Sequence, residues 1–359
     1  MPIKPGLEAH LDELIEIRRD LHKHPEIAFQ EERTSRVVAE KLNAWGLEVH
    51  TGIAKTGVVG VLRGEGGSNR AIGLRADMDA LPMPERTGLP YASVHDGAMH
   101  ACGHDGHTTM LLGAAKYLAE NRNFDGTVYF IFQPAEEGFA GGEHMVKEGL
   151  FERFPMESVW GIHNMPGVPV GEIALKPGPI MASADMFDIV VKGKGAHGAM
   201  PHHGIDPVLV ASHIVVAAQS IVARNVDPLK SGVVSITAMN GGTAGNVIPD
   251  EVKMMGTARS YSDDIQDMQE QNLRRIVEQT ATMFGATAEL DYRRMYPATV
   301  NTEDETVIAT EVARRVCGEA AVDPKVPPKM GAEDFSFMLN ERPGCYIFLG
   351  NGMPGEKGG

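Results

Sequence analysis

Nine consecutive residues, Met99 to His107 (MHACGHDGH), hold three histidines, a cysteine and an aspartate, a density of metal-competent side chains found nowhere else in the chain. Cys102 and His104 are two residues apart, so an extended segment would turn both to one side. A thiolate and an imidazole converging in this way suit zinc or a similar divalent transition metal. A polar loop with a structural cysteine would explain a lone Cys-x-His equally well, but the downstream pattern argues against it. Glu136 and Glu137 follow the apolar run TVYFIFQ, and His163 lies at the end of SVWGIHN. Cys102, His104, Glu137 and His163 are therefore candidate metal ligands. Glu136 is the candidate general base, because adjacent glutamates can divide ligand and base roles. A catalytic divalent metal polarises a carbonyl and lowers the pKa of water. Asp79 suits orienting a ligand from behind or forming a turn; Asp77 reads equally as structural or functional.

The elements that must position these residues follow from periodicity. Apolar residues at helical spacing predict helices over 7–23 and 31–45, with Gly46 as a stop. Short apolar runs at 58–62 and 71–74 predict buried strands, the second placing Arg75, Asp77 and Asp79 at its carboxyl end. A helix is predicted from His107 to Glu120, a strand covered on both faces over 127–133, a helical stretch near 142–150, and the strand SVWGIHN. Three strands in turn deliver carboxylates or imidazoles at their carboxyl ends, the edge at which open α/β sheets bind ligands. Core packing gives no reason for that repetition.

Near residue 182 the pattern changes. Strand 184–193, helix 207–223, strands 232–239 and 251–260, helix 263–284 and strand 286–294 make the βαββαβ order of a ferredoxin-like α+β domain. Asp206-Pro207 caps and opens its first helix, and Gly285 closes its second. The prediction is an α/β domain built from 1–182 and 295–359, interrupted by an inserted domain over 183–294. The helix in TEDETVIATEVARRVCG and the strand GCYIFLG would rejoin the first sheet. Within the insert, small residues surround His197 in KGKGAHGAMPHHGIDP. Asn246 and Arg259 suit a polar substrate end, Arg259 matching a carboxylate bidentately, although each of the three alone also reads as structural. His10, His22, His24, His50, His144 and His213 read as surface or capping residues.

Composition narrows the partners. The 359 residues allow two domains, and 43% hydrophobic with 23% charged residues is ordinary for a soluble globular chain. A formal charge of -15 argues against nucleic acid or an anionic membrane surface. Cys102, Cys317 and Cys345 are too few and too scattered for a disulfide framework. No apolar run reads as a membrane span, and the charged, helix-patterned start is unlike a secretory signal. A cytoplasmic location is expected.

RADMDALP, MHACGHDGH, PAEEG, GIHNMP, AHGAMPH and GAEDF, in that order from about His24 to Gly352, resemble the amidohydrolases of the aminoacylase-like metallopeptidase family. The most similar branch contains hippurate hydrolases, N-acyl-amino-acid amidohydrolases and auxin-conjugate hydrolases. The resemblance implies a mixed-sheet, di-metal catalytic domain and an inserted dimerisation or lid domain. It also implies two divalent ions per subunit (Zn, Mn, Co or Ni) and a homodimer or dimer of dimers. By resemblance Cys102, His104, Glu137 and His163 bind metal and Glu136 is the base. Asp79 falls at a second catalytic acidic position, and His197, Asn246 and Arg259 fall at substrate contacts, His197 reaching the partner subunit's site. The branch carries a further metal-binding histidine after GCYIFLGNG, whereas this sequence continues only to GMPGEKGG. A weak or empty second metal position is therefore expected. The expected reaction is hydrolysis of an N-acyl amino acid to a carboxylate and an amine, with the acyl group open. The alternative is a non-catalytic metal- or ligand-binding protein that keeps the fold; an intact Glu136 argues against it.

Overall fold

The computed structural model describes residues 6–352 and separates into two compact units. The first opens with α1 (Leu11–Lys23) and α2 (Glu32–Ala44), whose buried pairs Ile17/Leu21 and Val38/Leu42 each sit four residues apart on one helical stripe. Strands β1 (Glu48–Ile53), β2 (Gly57–Arg63) and β3 (Ala71–Asp77) follow, then α3 (His104–Glu120), β4 (Thr127–Gln133), α4 (Gly141–Lys147) and β5 (Ser158–Met165). Val58, Leu62, Val128, Phe130 and Phe132 of β2 and β4 form one core with Leu111, Leu112 and Ala115 of α3 and the stripes of α1 and α2.

The second unit holds β6 (Ala184–Lys192), α5 (Pro207–Asn225), β7 (Gly232–Asn240), β8 (Glu251–Ser260), α6 (Asp263–Met283) and β9 (Thr287–Tyr296). Its antiparallel sheet runs β7-β8-β6-β9, the arrangement that a βαββαβ chain makes when each helix carries it across the sheet. Phe187, Ile189 and Val191 alternate along β6 and face Val210, Ile214 and Ile221 of α5 and Leu273 and Val277 of α6. The Asp206 carboxylate accepts from the Val208 and Leu209 amides, so the predicted cap forms. Contrary to the sequence reading, α5 is long and apolar enough to cross a membrane, at 19 residues and mean hydropathy 1.5. Its Val210, Ala211, Ile214, Ala218 and Ile221 nonetheless make one wall of this core.

The chain then returns to the first unit through α7 (Glu303–Cys317), α8 (Phe335–Glu341) and β10 (Gly344–Gly350). The large sheet is mixed, in the order β1-β2-β4-β3-β5-β10, with two-residue strands at Ile173–Ala174 and Val322–Asp323 beyond β10. β3 runs parallel to β4 and β5, and β10 runs parallel to β5, whereas β1/β2 and β2/β4 are antiparallel. Asp77 stands opposite Gln133, so β3 and β4 end level and their following loops open on one edge. The sequence reading put breaks after residues 182 and 294; the compact units break after Ile180 and Thr299. Pro328–Glu333 group with the second unit, because the Ala182 amide donates to the Lys329 and Gly331 carbonyls at 3.1 and 2.9 Å.

Candidate active site

The carboxyl edge of β3, β4 and β5 gathers the first unit's candidate residues. Strand β3 extends further than predicted, so Arg75 and Asp77 lie within it and Asp79 just beyond. Helix α3 begins at His104 rather than His107. Cys102 and His104 therefore converge through a turn, not through an extended segment. Gly103 makes that turn at φ +91°, and a Cβ there would stand 2.3 Å from Asn164 Oδ1. The Cys102 Sγ, one His104 nitrogen and one His163 nitrogen lie within 4.8 Å of one another, with Cys102 Sγ 3.5 Å from His163 Nε2. His163 donates its Nδ1–H to the Asn164 carbonyl, which turns Nε2 toward the cluster.

After β4 the chain passes through Ala135 at φ 56° and Ala140 at φ 53°, with Glu136 and Glu137 on the tight turn between them. The Glu137 amide donates to Asp79 Oδ2 at 2.8 Å, and the Asp79 Oδ1 stands 3.1 Å from His104 Nδ1. One carboxylate thus orients an imidazole and fastens the glutamate turn. His104, Glu136 and Glu137 form a second group of ligand atoms within 4.8 Å, so His104 belongs to both.

Among the candidate ligand atoms, two buried ones make no hydrogen bond to the described residues: His104 Nε2 and Glu137 Oε1, 3.9 Å apart. Buried polar atoms are seldom left bare, and a sulfur, two imidazole nitrogens and carboxylate oxygens suit a divalent transition metal. The donor set fits such an ion. Burial pushes the Cys102 thiol and the Glu137 carboxyl up from their ordinary values. Burial opposes a charge on His104, yet Asp77 and Asp79 outweigh it and hold the imidazole well above its usual range. Cation binding here displaces protons.

A buried network that periodicity did not reveal lies behind the cluster. Arg75 donates to Asp77 (2.7 Å), Gln133 (2.8 Å) and Asp334 (2.9 Å), and Asp334 also accepts from the Gly142 amide. Asp77 lies 2.6 Å from His107 Nδ1 and 3.7 Å from His104 Nε2. Although burial works against its charge, His104, His107 and Arg75 hold the Asp77 carboxyl well below the usual range. His22, expected from sequence to be a surface or capping residue, is buried, with Nδ1 3.0 Å from Asp105 and Nε2 3.2 Å from Glu85. The overlooked signal was the crowding of acids around these histidines, separated by 30 to 83 positions in sequence.

His197, Asn246 and Arg259 lie in the second unit. His197 is exposed on a two-residue strand opposite Val247, and the Asn246 carbonyl accepts from the Gly198 amide at 2.8 Å. Arg259, half-buried on β8, donates to the Ala258 carbonyl at 2.9 Å and to the Thr257 hydroxyl. The expectation of a weak or empty second metal position falls on the segment after the last strand, and residues 353–359 of it lie outside the described ones.

The sequence matches the profile of peptidase family M20/M25/M40 over residues 73–358. It is 44% identical to the hippurate hydrolase of Campylobacter jejuni, over 94% of this chain and 88% of that protein. It is 41% identical to an N-acetyl-L-cysteine deacetylase of Bacillus subtilis, over 94% of this chain and 80% of the relative. The fold superposes with a TM-score of 0.83 on a crystal structure from Bacillus subtilis described as a dinuclear metal-binding peptidase of family M20. The two are 37% identical, with 96% of this chain and 90% of the other covered.

Proposed function

The chain belongs to peptidase family M20/M25/M40 and is a metal-dependent amidohydrolase, and from that premise we propose that it cleaves N-acyl amino acids to a carboxylate and a free amino acid. The observation that carries this reading is the pair of bare, buried atoms, His104 Nε2 and Glu137 Oε1, beside Glu136 at the sheet's carboxyl edge. Cys102, His104, Glu137 and His163 would hold a divalent ion, with zinc favoured by the thiolate and manganese, cobalt or nickel also accommodated. When bound, it supplies Lewis-acid polarisation of the amide carbonyl and a lowered pKa for water. Glu136 takes a proton from the attacking water and returns it to the departing amine. Asp79 keeps His104 in one tautomer and orientation. His197, supplied across a dimer, stabilises the oxyanion formed at the substrate carbonyl, while Asn246 and Arg259 bind the substrate's polar end, Arg259 through its fork of donors. The edge strands β7 and β9 support a homodimer formed through the second unit.

The test is amine release from a panel of N-benzoyl, N-acetyl and indoleacetyl amino acids, with zinc or manganese added. Hydrolysis should stop with chelator and return with the ion. Cleavage of free dipeptides with none of the N-acyl panel would overturn the substrate class.

A further inference from the structure

Glu31 occupies the N-cap position of α2, yet its side chain does not cap that helix. Glu26 does so instead, accepting from the Arg33 amide at 2.9 Å and the Thr34 amide at 2.7 Å. The Glu31 carboxylate, fully buried, turns away from α2. Its Oε1 accepts from the Ala135 amide at 2.9 Å and the Phe29 amide at 3.1 Å, and its Oε2 accepts from the Thr56 hydroxyl at 2.7 Å. Ala135 immediately precedes Glu136 and holds φ 56°, a conformation that L residues other than asparagine and aspartate seldom adopt. Such a conformation persists only where its surroundings over-determine it. On the carbonyl side, Ala135 accepts from the Gly141 amide at 3.0 Å. On the amide side the restraint is Glu31, 104 positions upstream. The same loop also reaches the neighbouring strand end, where the Glu26 carbonyl accepts from the Ala80 amide at 2.9 Å, next to Asp79.

We propose that Glu31 is a positioning residue of this hydrolase: its buried carboxylate locks Ala135 in the left-handed conformation from which the Glu136–Glu137 turn departs, and so aims Glu136. The proposal rests on the reading of Glu136 as the base. A base displaced by about 1 Å loses up to about 100-fold in rate, so the effect falls on kcat rather than on substrate affinity.

Kinetics of metal-loaded variants, each checked for metal content and for a folded circular dichroism spectrum, test this. Glu31→Ala should lower kcat at least about tenfold with KM little changed. Glu31→Met, which fills the volume without an acceptor, replaces it if alanine does not fold. Glu31→Gln should recover most of the rate, because its amide oxygen still accepts from Ala135 and its amino group can donate to Thr56. Adding Ala135→Gly to Glu31→Ala should also restore part of kcat, since glycine takes a positive φ without the anchor. In a Glu136→Gln background, losing Glu31 should cost little more. An unchanged kcat in Glu31→Ala, no rescue by either route, or a full further loss on top of Glu136→Gln would each overturn the positioning role. Wild-type turnover in Glu136→Gln alone would instead sink the base reading on which it rests.

Discussion

The carboxyl edge of the first unit's sheet and the core of the second unit bury their side chains for opposite ends. At the edge, Arg75, Asp77, Asp79, His104, His107 and Asp334 are all buried, a concentration of charge that is costly to remove from water. Each is held by a named partner, and His104 Nε2, the atom among them that makes no hydrogen bond to the described residues, is one a cation would satisfy. In the second unit, Phe187, Ile189, Val191, Ile214 and Leu273 interdigitate with almost no polar intrusion. Buried polar side chains there include Asp185, which accepts from the Tyr292 hydroxyl at 2.7 Å and the Gln266 amide at 2.8 Å, and Gln269, which donates to the Arg259 carbonyl at 3.1 Å. The sheet edge gathers groups able to do chemistry, whereas the second unit's interior is dominated by apolar packing.

Substitutions that affect stability and metal affinity differently can break or sharpen this contrast. The largest change is expected from Ile214→Ala, which opens a cavity in the apolar core of the second unit. It should cost about 2–5 kcal/mol of unfolding free energy in urea, with metal content of the folded protein unchanged. A loss below about 1 kcal/mol would mean that this core is more loosely packed than described.

A smaller effect, in a different quantity, is expected from Asp79→Asn. It weakens the hold on His104 Nδ1 and on the Glu137 amide and should reduce zinc affinity about 10- to 100-fold in a calorimetric titration. An unfolding midpoint that falls while zinc affinity stays intact would place Asp79 among the structural groups instead.

The smallest effect concerns pH. Burial raises the Asp185 carboxyl in the folded protein, while the Tyr292 and Gln266 bonds pull it the other way. Between the ordinary carboxyl value and that raised one, the native state holds more proton than the unfolded chain. Its contribution to stability therefore declines as pH rises through that window. Asp185→Asn should remove this declining component, so that the slope of a urea-midpoint profile taken upward from pH 4 becomes more positive than that of the wild type. A slope that the substitution leaves unchanged would contradict the assignment.

The candidate cluster was legible because cysteine, histidine and paired glutamates at strand ends are hard to explain by packing, and the fold brings their donor atoms together. The geometry was less so. Cys102 and His104 converge as expected but not along an extended segment, since a left-handed Gly103 and the first turn of α3 bring them together. Strand β1 escaped notice because it is a mostly exposed edge strand without an apolar run. The Arg75–Asp77–His107 network and the Glu31 anchor join residues far apart in sequence, beyond the reach of any local pattern. The apolar alternation of the second unit, by contrast, revealed its strands, its helices and both caps with little error.

The division of labour between Glu136 and Glu137 is the central claim, and replacing each by glutamine while measuring turnover and bound metal together tests it directly. Glu136→Gln should lower kcat by roughly 100-fold or more with metal content near wild type. Glu137→Gln should shed metal, with activity falling accordingly. If Glu136→Gln lost the metal while Glu137→Gln kept it and lost only turnover, the assignment of base and ligand would be reversed.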